Sequence, residues 1–408
     1  MIDKTPKIGI VTMNFYPEKA ATASLLTELS LGLKERGCDV RVYAGYPMYW
    51  FDKFKVTKRE VYRSITIERS FNTQFNCQGK LRMICNTGSF FISAFFNLLL
   101  HCNDRILIIV TNPPFLPYIG FLMKKLRRIN YIVLVHDVFP DSAIKVGYMN
   151  DGILARILDK LYTYTYENSI NIIVLSEDMA ELIKDKIGTR HHHKITIISN
   201  WEDETFIKPL NKSENPFVRE HNLMDKFVIL YSGNMSSSQD FDLILQAACK
   251  ISDPEIRFIF IGDGIEKIKI KKKVEDMDLQ NVDFLPYQPR EILPYSMTSG
   301  DVLVVTQKKG TKGTLVSCKL YTAMATGRPI LAMCEAGTEI AKVVNEFHCG
   351  VVVHNEDISE LIEKILELKN SKHLRELMGE NGRIALEKHF SKNVSINKYY
   401  DVLEKIDQ

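Results

Sequence analysis

Lys7 to Ala44 reads KIGIVTMNFYPEKAATASLLTELSLGLKERGCDVRVYA. Its opening run, KIGIVTM, is short, apolar and rich in β-branched residues, the composition of a strand buried on both faces in a parallel sheet. Leu25, Leu26, Leu29 and Leu33 then recur at helical spacing, and Gly37 supplies a stop. Asp39 to Ala44 (DVRVYA) returns as a second strand. A strand, a helix and a strand within about 40 residues make a βαβ unit, which predicts a right-handed crossover and a parallel sheet.

The same rhythm continues along the chain. Arg105–Thr111 (RILIIVT), Asn130–His136 (NYIVLVH), Asn171–Leu175 (NIIVL) and Lys194–Ser199 (KITIIS) add strands, so residues 1–200 read as one doubly wound domain. Trp201–Asn215 (WEDETFIKPLNKSEN) is polar, carries Pro209 and is expected to be a connector. A second series follows over 216–385, through Lys226–Gly233 (KFVILYSG), Ile256–Gly262 (IRFIFIG), Val282–Leu285, Asp301–Thr306, Pro329–Met333 and Gly350–Val353. Residues 386–408 are charged and helical in pattern, and are expected to pack back on the first domain. The predicted fold class is α/β: two tandem Rossmann-like domains with a ligand cleft at the carboxyl ends of their strands.

Composition agrees with a globular chain. Of 408 residues, 45% are apolar and 25% charged, which excludes disorder, collagen-like repeats and coiled coil. The eight cysteines form no CxxC pair and no metal-type spacing with histidine, the pattern of a reduced compartment. The N-terminus runs into a strand and does not resemble a secretory leader. The longest apolar run, Phe90–Leu100 (FFISAFFNLLL), is shorter than the roughly 20 residues of a bilayer span. The net charge of +3 conceals an asymmetry: residues 1–200 hold 26 Lys and Arg against 18 Asp and Glu, and the remainder 27 against 32. A basic first half suits an anionic surface or a phosphorylated partner, or is simply solvated.

Two turns could carry chemistry. Ser232-Gly233-Asn234-Met235-Ser236-Ser237-Ser238-Gln239 joins a strand to a helix expected from about Asp240, and its small residues let backbone amides approach an anion at a helix start. A tight capped turn would look the same. Gly310-Thr311-Lys312-Gly313-Thr314-Leu315-Val316-Ser317-Cys318-Lys319 precedes another helix and offers hydroxyls, amides and one ammonium to a diphosphate. Two such turns in one domain are more specific than either alone.

With YSGNMSSSQDFDLILQAA, FIFIGDG, LVSCKLYTAMATGRPILA, AGTEIAKVV, SNWEDETFIKPL, NFYPEKAATA, TNPPFLP and HDVFPDSAIKVG, the chain resembles the retaining glycosyltransferases of family 4, which have the GT-B fold. Within that family it is similar to the bacterial polysaccharide branch that includes O-antigen and capsule N-acetylfucosamine transferases. The resemblance implies a nucleotide-sugar donor, UDP-linked, and a polyprenyl-diphosphate-linked glycan acceptor at an anionic membrane surface on the cytoplasmic side. It implies no nucleic acid, no cofactor and no metal. The family's paired glutamates fall at Thr314 and Thr322, and its Arg and Lys of the first turn fall at Asn234 and Gln239. Ser317-Cys318-Lys319 keeps the lysine of the branch's Pro-Ser-Lys triplet, which makes Lys319 the expected diphosphate cation, with Gly233, Gly313, Ser317 and Glu339 completing the donor side. Ala20 and Ala21 stand where the wider family prefers glycine, a change that requires negative φ there.

Asp137 and Asp141, in HDVFPD after a strand, are the acceptor-side carboxylates, with His136 beside them; one could deprotonate an acceptor hydroxyl, and one could instead cap the next helix. Asp240-Phe241-Asp242 and Asp276-Met277-Asp278 match the metal-binding DxD pattern of the other major glycosyltransferase fold, but the first lies at a helix start where Asp is a capping residue. His191-His192-His193 reads as surface loop, since consecutive histidines cannot all face one ion. Gly262-Asp263-Gly264 lacks the third glycine of a dinucleotide fingerprint and reads as an edge turn. A nucleotide-sugar 2-epimerase, which needs acid/base carboxylates around the sugar, and a catalytically silent sugar-nucleotide-binding subunit also fit two such domains.

Overall fold

The computed structural model describes residues 6–18, 20–48, 55–75, 80–354 and 357–407. The chain divides into two compact units, one of Met1–Ser199 with Gly313–Leu315 and Asn393–Gln408, the other of Asn200–Lys312 with Val316–Lys392.

In the first unit the elements run β1 (Lys7–Val11), α1 (Ala21–Glu35), β2 (Asp39–Gly45), β3 (Arg59–Tyr62), β4 (Ile65–Ser70), α2 (Lys80–His101), β5 (Ile106–Val110), α3 (Pro117–Arg127), β6 (Asn130–Val135), α4 (Asp141–Lys145), α5 (Ile153–Asn168), β7 (Asn171–Val174), α6 (Glu177–Lys186) and β8 (Ile195–Ile197). They form an eight-stranded sheet in the order β3-β4-β2-β1-β5-β6-β7-β8, parallel except for the β3–β4 pair. Every residue of β5 is buried, so its run ILIIV shows no alternation. Right-handed crossovers put leftward and rightward connections on opposite faces. Hence α1, between β1 and β2, covers one face, while α2, α3, α5 and α6 share the other.

Helix α2 corrects the expectation of a short apolar segment. It spans 22 residues, and Leu81–His101 is long and apolar enough to cross a membrane, with only Asn86, Phe90, Ala94 and Leu98 of that stretch buried. Its polar residues do not interrupt it because they are hydrogen-bonded. Thr87 Oγ1 donates to Met83 O, Asn86 Oδ1 accepts from Phe75 N, and Ser89 Oγ and Ser93 Oγ accept from the amides of Thr73 and Phe71. Of the basic stretch 51–82, residues 51–54 and 76–79 lie outside the described residues.

The second unit continues with α7 (Pro216–Glu220), β9 (Phe227–Ser232), α8 (Asp242–Lys250), β10 (Ile256–Ile261), α9 (Lys267–Asp276), β11 (Val282–Leu285), α10 (Leu293–Thr298), β12 (Val302–Thr306), α11 (Lys319–Ala325), β13 (Ile330–Met333), α12 (Glu339–Glu346), β14 (Gly350–Val353), α13 (Ile358–Asn370) and α14 (Lys372–Ala385). Its six strands lie parallel in the order β11-β10-β9-β12-β13-β14. Alternation along β9 builds two cores. Val228 and Leu230 pack with Leu320, Tyr321 and Ile340, and Ile229 and Tyr231 pack with Ile244, Leu361 and Ile365. Strand order reverses between β9 and β12, which makes their carboxyl ends the switch point where doubly wound sheets bind ligands.

The segment 201–215 is more than a connector. Ile207 is buried in the second unit's core, and the Arg383 guanidinium donates to Glu204 O and Ile207 O, each at 2.7 Å. The last helix, α15 (Lys392–Asp407), packs on α1: a Cβ on Gly32 would come within 2.5 Å of Ile396 Cδ1. Arg36 Nε donates to Asn397 Oδ1 at 2.7 Å on the same contact.

Candidate active site

At the switch point of the second unit, β9 is followed by Gly233 at φ +136°. A Cβ there would meet Lys319 Cε at 2.6 Å, so glycine is what lets the lysine stem pass beneath the turn. Lys319 opens α11, is half-buried, and sets its Nζ 5.6 Å from the centroid of the Tyr231 ring. Among the described residues no carboxylate pairs with this ammonium. Burial lowers its pKa from the ordinary lysine value, as desolvation of an unpaired cation must. Two residues earlier, Ser317 Oγ is buried without a hydrogen-bond partner. A desolvated cation beside an unsatisfied hydroxyl is a site for an anionic, hydrogen-bonding ligand.

The turn itself is held by its own side chains. Gln239 Oε1 accepts from Ser236 N and Ser236 Oγ at 2.8 Å each, and Gln239 Nε2 donates to Ser238 Oγ at 2.9 Å. Gln239 therefore braces the loop. Thr306 Oγ1, at the end of β12, donates to Asp240 O at 2.9 Å and ties the loop to the neighbouring strand. Asn234 is exposed, and its carbonyl accepts from Tyr231 Oη at 2.7 Å.

The segment Gly262-Asp263-Gly264, expected as an edge turn, backs this turn. Gly262 and Gly264 adopt φ +133° and +147°. A Cβ on Gly262 would lie 2.1 Å from Gly233 O, and one on Gly264 would lie 2.3 Å from Met235 O. Gly233 N donates to Ile261 O and Met235 N to Asp263 O, so the turns after β9 and β10 are laced together. The signal was available in the adjacency of β9 and β10, whose runs both end in glycine. Gly262→Ala should then combine a forbidden φ with a backbone clash, and a loss of about 2 kcal/mol or more is expected in urea unfolding. A melt indistinguishable from the parent would refute this packing.

Gly313 requires a correction. It was expected among the phosphate-binding amides, but its N–H donates to Asp178 Oδ2 at 3.0 Å, and a Cβ there would lie 2.6 Å from Asp178 O. Thr314 O accepts from Val138 N at 2.9 Å. Residues 313–315 thus group with the first unit, and Gly313 keeps no free donor for a diphosphate. Thr322 Oγ1 donates to Glu202 Oε2 at 2.7 Å. The carboxylate that position 322 lacks is therefore brought to it by the segment read as a connector. Glu339 is half-buried in the first turn of α12, behind Thr338, whose Oγ1 accepts from Ala341 N.

In the first unit, Thr111 Oγ1 accepts from the amides of His136 at 3.0 Å and Asp137 at 3.1 Å, fixing the chain as it leaves β6. Burial pushes the Asp137 carboxyl up to about 6 and the His136 imidazole down to about 4. His136 Nε2 has no hydrogen-bond partner. Asp141 is a different case: it neither caps α4 nor stands free, because Lys186 Nζ lies 2.6 Å from its Oδ2 and bridges it to Asp159. Ala20 sits at φ −63° ahead of α1, which begins at Ala21, so the alanines fit without strain.

The other tempting groups are engaged locally. Asp240 Oδ1 accepts from Asp242 N, and Asp242 pairs with Lys273. His191-His192-His193 lies in a 3₁₀ turn. Among the described residues no three His, Cys, Asp or Glu side chains are grouped as metal ligands would be.

The family described as Glycosyltransferase Family 4 matches residues 22–205, and that described as Glycosyl transferases group 1 matches residues 213–385. The glycosyltransferase WbjE of Pseudomonas aeruginosa is 29% identical over 293 residues, covering 71% of this chain and 72% of the relative. The colanic acid biosynthesis glycosyl transferase WcaI of Escherichia coli is 25% identical over 375 residues, covering 88% and 91%. Among solved structures, sucrose-phosphate synthase from Thermosynechococcus elongatus matches at TM-score 0.79 with 15% identity, covering 98% of this chain and 99% of that one. Anabaena HepE, solved in complex with UDP, matches at 0.74 with 13% identity, covering 98% and 100%. These structural likenesses establish the fold, and the sequence relatives establish the enzyme class. The chain is a glycosyltransferase of the GT-B fold, with a family 4 domain followed by a group 1 domain.

Proposed function

We propose that the enzyme moves an N-acetylhexosamine-type sugar, with retention, from a UDP-linked donor to a polyprenyl-diphosphate-linked glycan in cell-surface polysaccharide synthesis. The observation that carries this reading is Lys319, a half-buried ammonium beneath a glycine turn with no carboxylate partner among the described residues. A diphosphate leaving group is the anion such a site suits, because charge grows on it as the glycosidic bond breaks. Support comes also from the relatives. HepE was solved with UDP, and a Staphylococcus aureus relative, 24% identical over 195 residues, is named as a poly(ribitol-phosphate) alpha-N-acetylglucosaminyltransferase.

In this scheme the bond from the anomeric carbon to the diphosphate oxygen breaks, the acceptor hydroxyl oxygen bonds to that carbon on the same face, and the hydroxyl proton leaves. Lys319 and the Ser317 hydroxyl hold the diphosphate. Asp137 receives the acceptor proton; with its carboxyl near 6 it is ionised at neutral pH yet basic enough for the task. Catalysis proceeds without a metal or other cofactor, and the acceptor is met at the cytoplasmic leaflet.

The test is incubation with a panel of sugar nucleotides, with and without EDTA, reading released nucleotide. Nucleotide release from one UDP-N-acetylhexosamine, unaffected by EDTA, is expected. Epimer formation, or binding without turnover, would overturn the proposal.

A further inference from the structure

The segment TNPPFLP, residues 111–117, joins β5 to α3. Its Phe115 sits at φ +74°, in the left-handed region, with 38% of its surface in water. A bulky side chain is strained at that φ, which glycine or asparagine would adopt at less cost. The turn therefore does not explain a phenylalanine. Neither does the core, since the neighbours Leu116 and Pro117 are buried and supply the packing there. Strain of this kind persists where surrounding contacts over-determine it, and it points to a use for the side chain.

The contacts come from α3, α5 and the loop after β6. Tyr162 of α5, fully buried, accepts the Phe115 amide on its Oη at 2.9 Å. The Phe115 ring meets Phe139 edge-on, 5.6 Å between centroids, and lies nearly parallel to Tyr118 at 6.3 Å. Tyr118 and Phe139 rest in turn on the Tyr162 ring, at 5.5 and 5.6 Å. Four rings thus make one cluster, with Tyr162 at its base and Phe115 at its open end. The cluster borders Asp137. Phe139 follows that carboxylate by two residues, and β5 and β6 are parallel neighbours that release both loops at their carboxyl ends. Burial, with Tyr118 and Asp137 nearby, pushes the Tyr162 hydroxyl up.

We infer that Phe115 is a sugar-binding residue of the acceptor site, its exposed ring stacking on the C–H face of the pyranose whose hydroxyl proton Asp137 receives. A pyranose has an apolar face of axial hydrogens, slightly positive, and a rim of hydroxyls. The negative face of an aromatic ring suits the first, and a carboxylate suits the second. Stacking also orients: it sets the hydroxyl against the carboxylate before any bond changes. An isoprenoid chain is the poorer match, because it would lie against the Asp137 carboxylate and desolvate it. The inference rests on the reading of Asp137 as the acceptor-side base and names the chemistry beside it.

The experiment is saturation-transfer NMR on the full chain, irradiating its aromatic protons. The probes are methyl β-pyranosides of gluco, galacto and N-acetylgluco configuration, and farnesyl diphosphate. Transfer to the axial ring protons of at least one pyranoside is expected, weaker by about fivefold or more in Phe115→Leu and retained in Phe115→Tyr. Leucine keeps an apolar side chain, so a merely structural role would survive it. Phe115→Asn, which tolerates the backbone φ, gives a second folded variant without the ring and should lose the transfer as well. Transfer undiminished in Phe115→Leu or Phe115→Asn, transfer to no pyranoside, or transfer to farnesyl diphosphate alone would overturn the inference. The rise in melting temperature with UDP separates it from the functional reading. If that rise persists while the pyranoside signal fails, only the role of Phe115 falls; if it is absent from the parent, the functional reading falls.

Discussion

Lys319→Ala is expected to lower turnover by roughly 10²-fold or more, the size of effect seen when one preorganised donor to a developing oxyanion is removed. The reason lies in its setting. Among the described residues the ammonium has no carboxylate to release, it is partly desolvated, and Gly233 leaves it room beneath the turn. The substitution also removes an unpaired, half-buried charge, so the protein should not lose stability through electrostatics. Steady-state kinetics with the preferred donor checks this, and activity within a fewfold of the parent would remove Lys319 from the reaction.

The second large effect is expected at Asp137, where activity and stability should move in opposite directions. Burial holds its carboxyl near 6, against 3.8 ordinarily. The folded state thus favours the protonated form; the cost of ionisation is absent below about pH 4, grows as pH rises to about 6, and persists above. Asp137→Asn removes that cost and should stabilise the protein at pH 7 by roughly 1–2 kcal/mol, allowing for partial solvent access, while disappearing as an advantage at pH 4. Transfer should fall by about 10²–10⁴-fold, the span of general base catalysis. In the parent, the rate should rise with pH through about 6 as the carboxylate forms. Urea melts at the two pH values and a pH–rate profile test these statements; a variant that is less stable at pH 7, or a rate flat from pH 5 to 8, would make Asp137 structural.

His136 gives the opposite sign. Its imidazole is pushed down to about 4, so the neutral ring is the folded form. Stability is fully present above the unfolded value near 6.5 and is lost as pH falls toward 4.

Both Rossmann-like domains were legible because buried parallel strands write themselves as unbroken apolar runs, as ILIIV in β5 and FVILY in β9 do. The length of α2 was not legible, because Asn86, Ser89 and Ser93 look like interruptions until the backbone amides of Phe75, Thr73 and Phe71 are seen to donate to them. Lys319 and Gly233 could be found from spacing within one turn. Contacts made across the chain could not: Gly313 binds Asp178 over 135 residues, and Glu202 reaches Thr322 over 120. Neither pair leaves a local pattern. Gly262 and Gly264 were visible as glycines, but their role comes from the strand order that sets β10 beside β9.

Lys319 and its glycine turn are expected to hold a nucleotide diphosphate. Thermal unfolding with UDP and with uridine, in the parent and in Lys319→Met, tests it most directly. A ligand at 100 times its dissociation constant adds about 2.7 kcal/mol to stability. UDP should raise the melting temperature of the parent, uridine should do so far less, and Lys319→Met should lose most of the difference between them. Equal shifts from UDP and uridine, or a UDP shift undiminished in Lys319→Met, would mean that Lys319 does not hold the diphosphate.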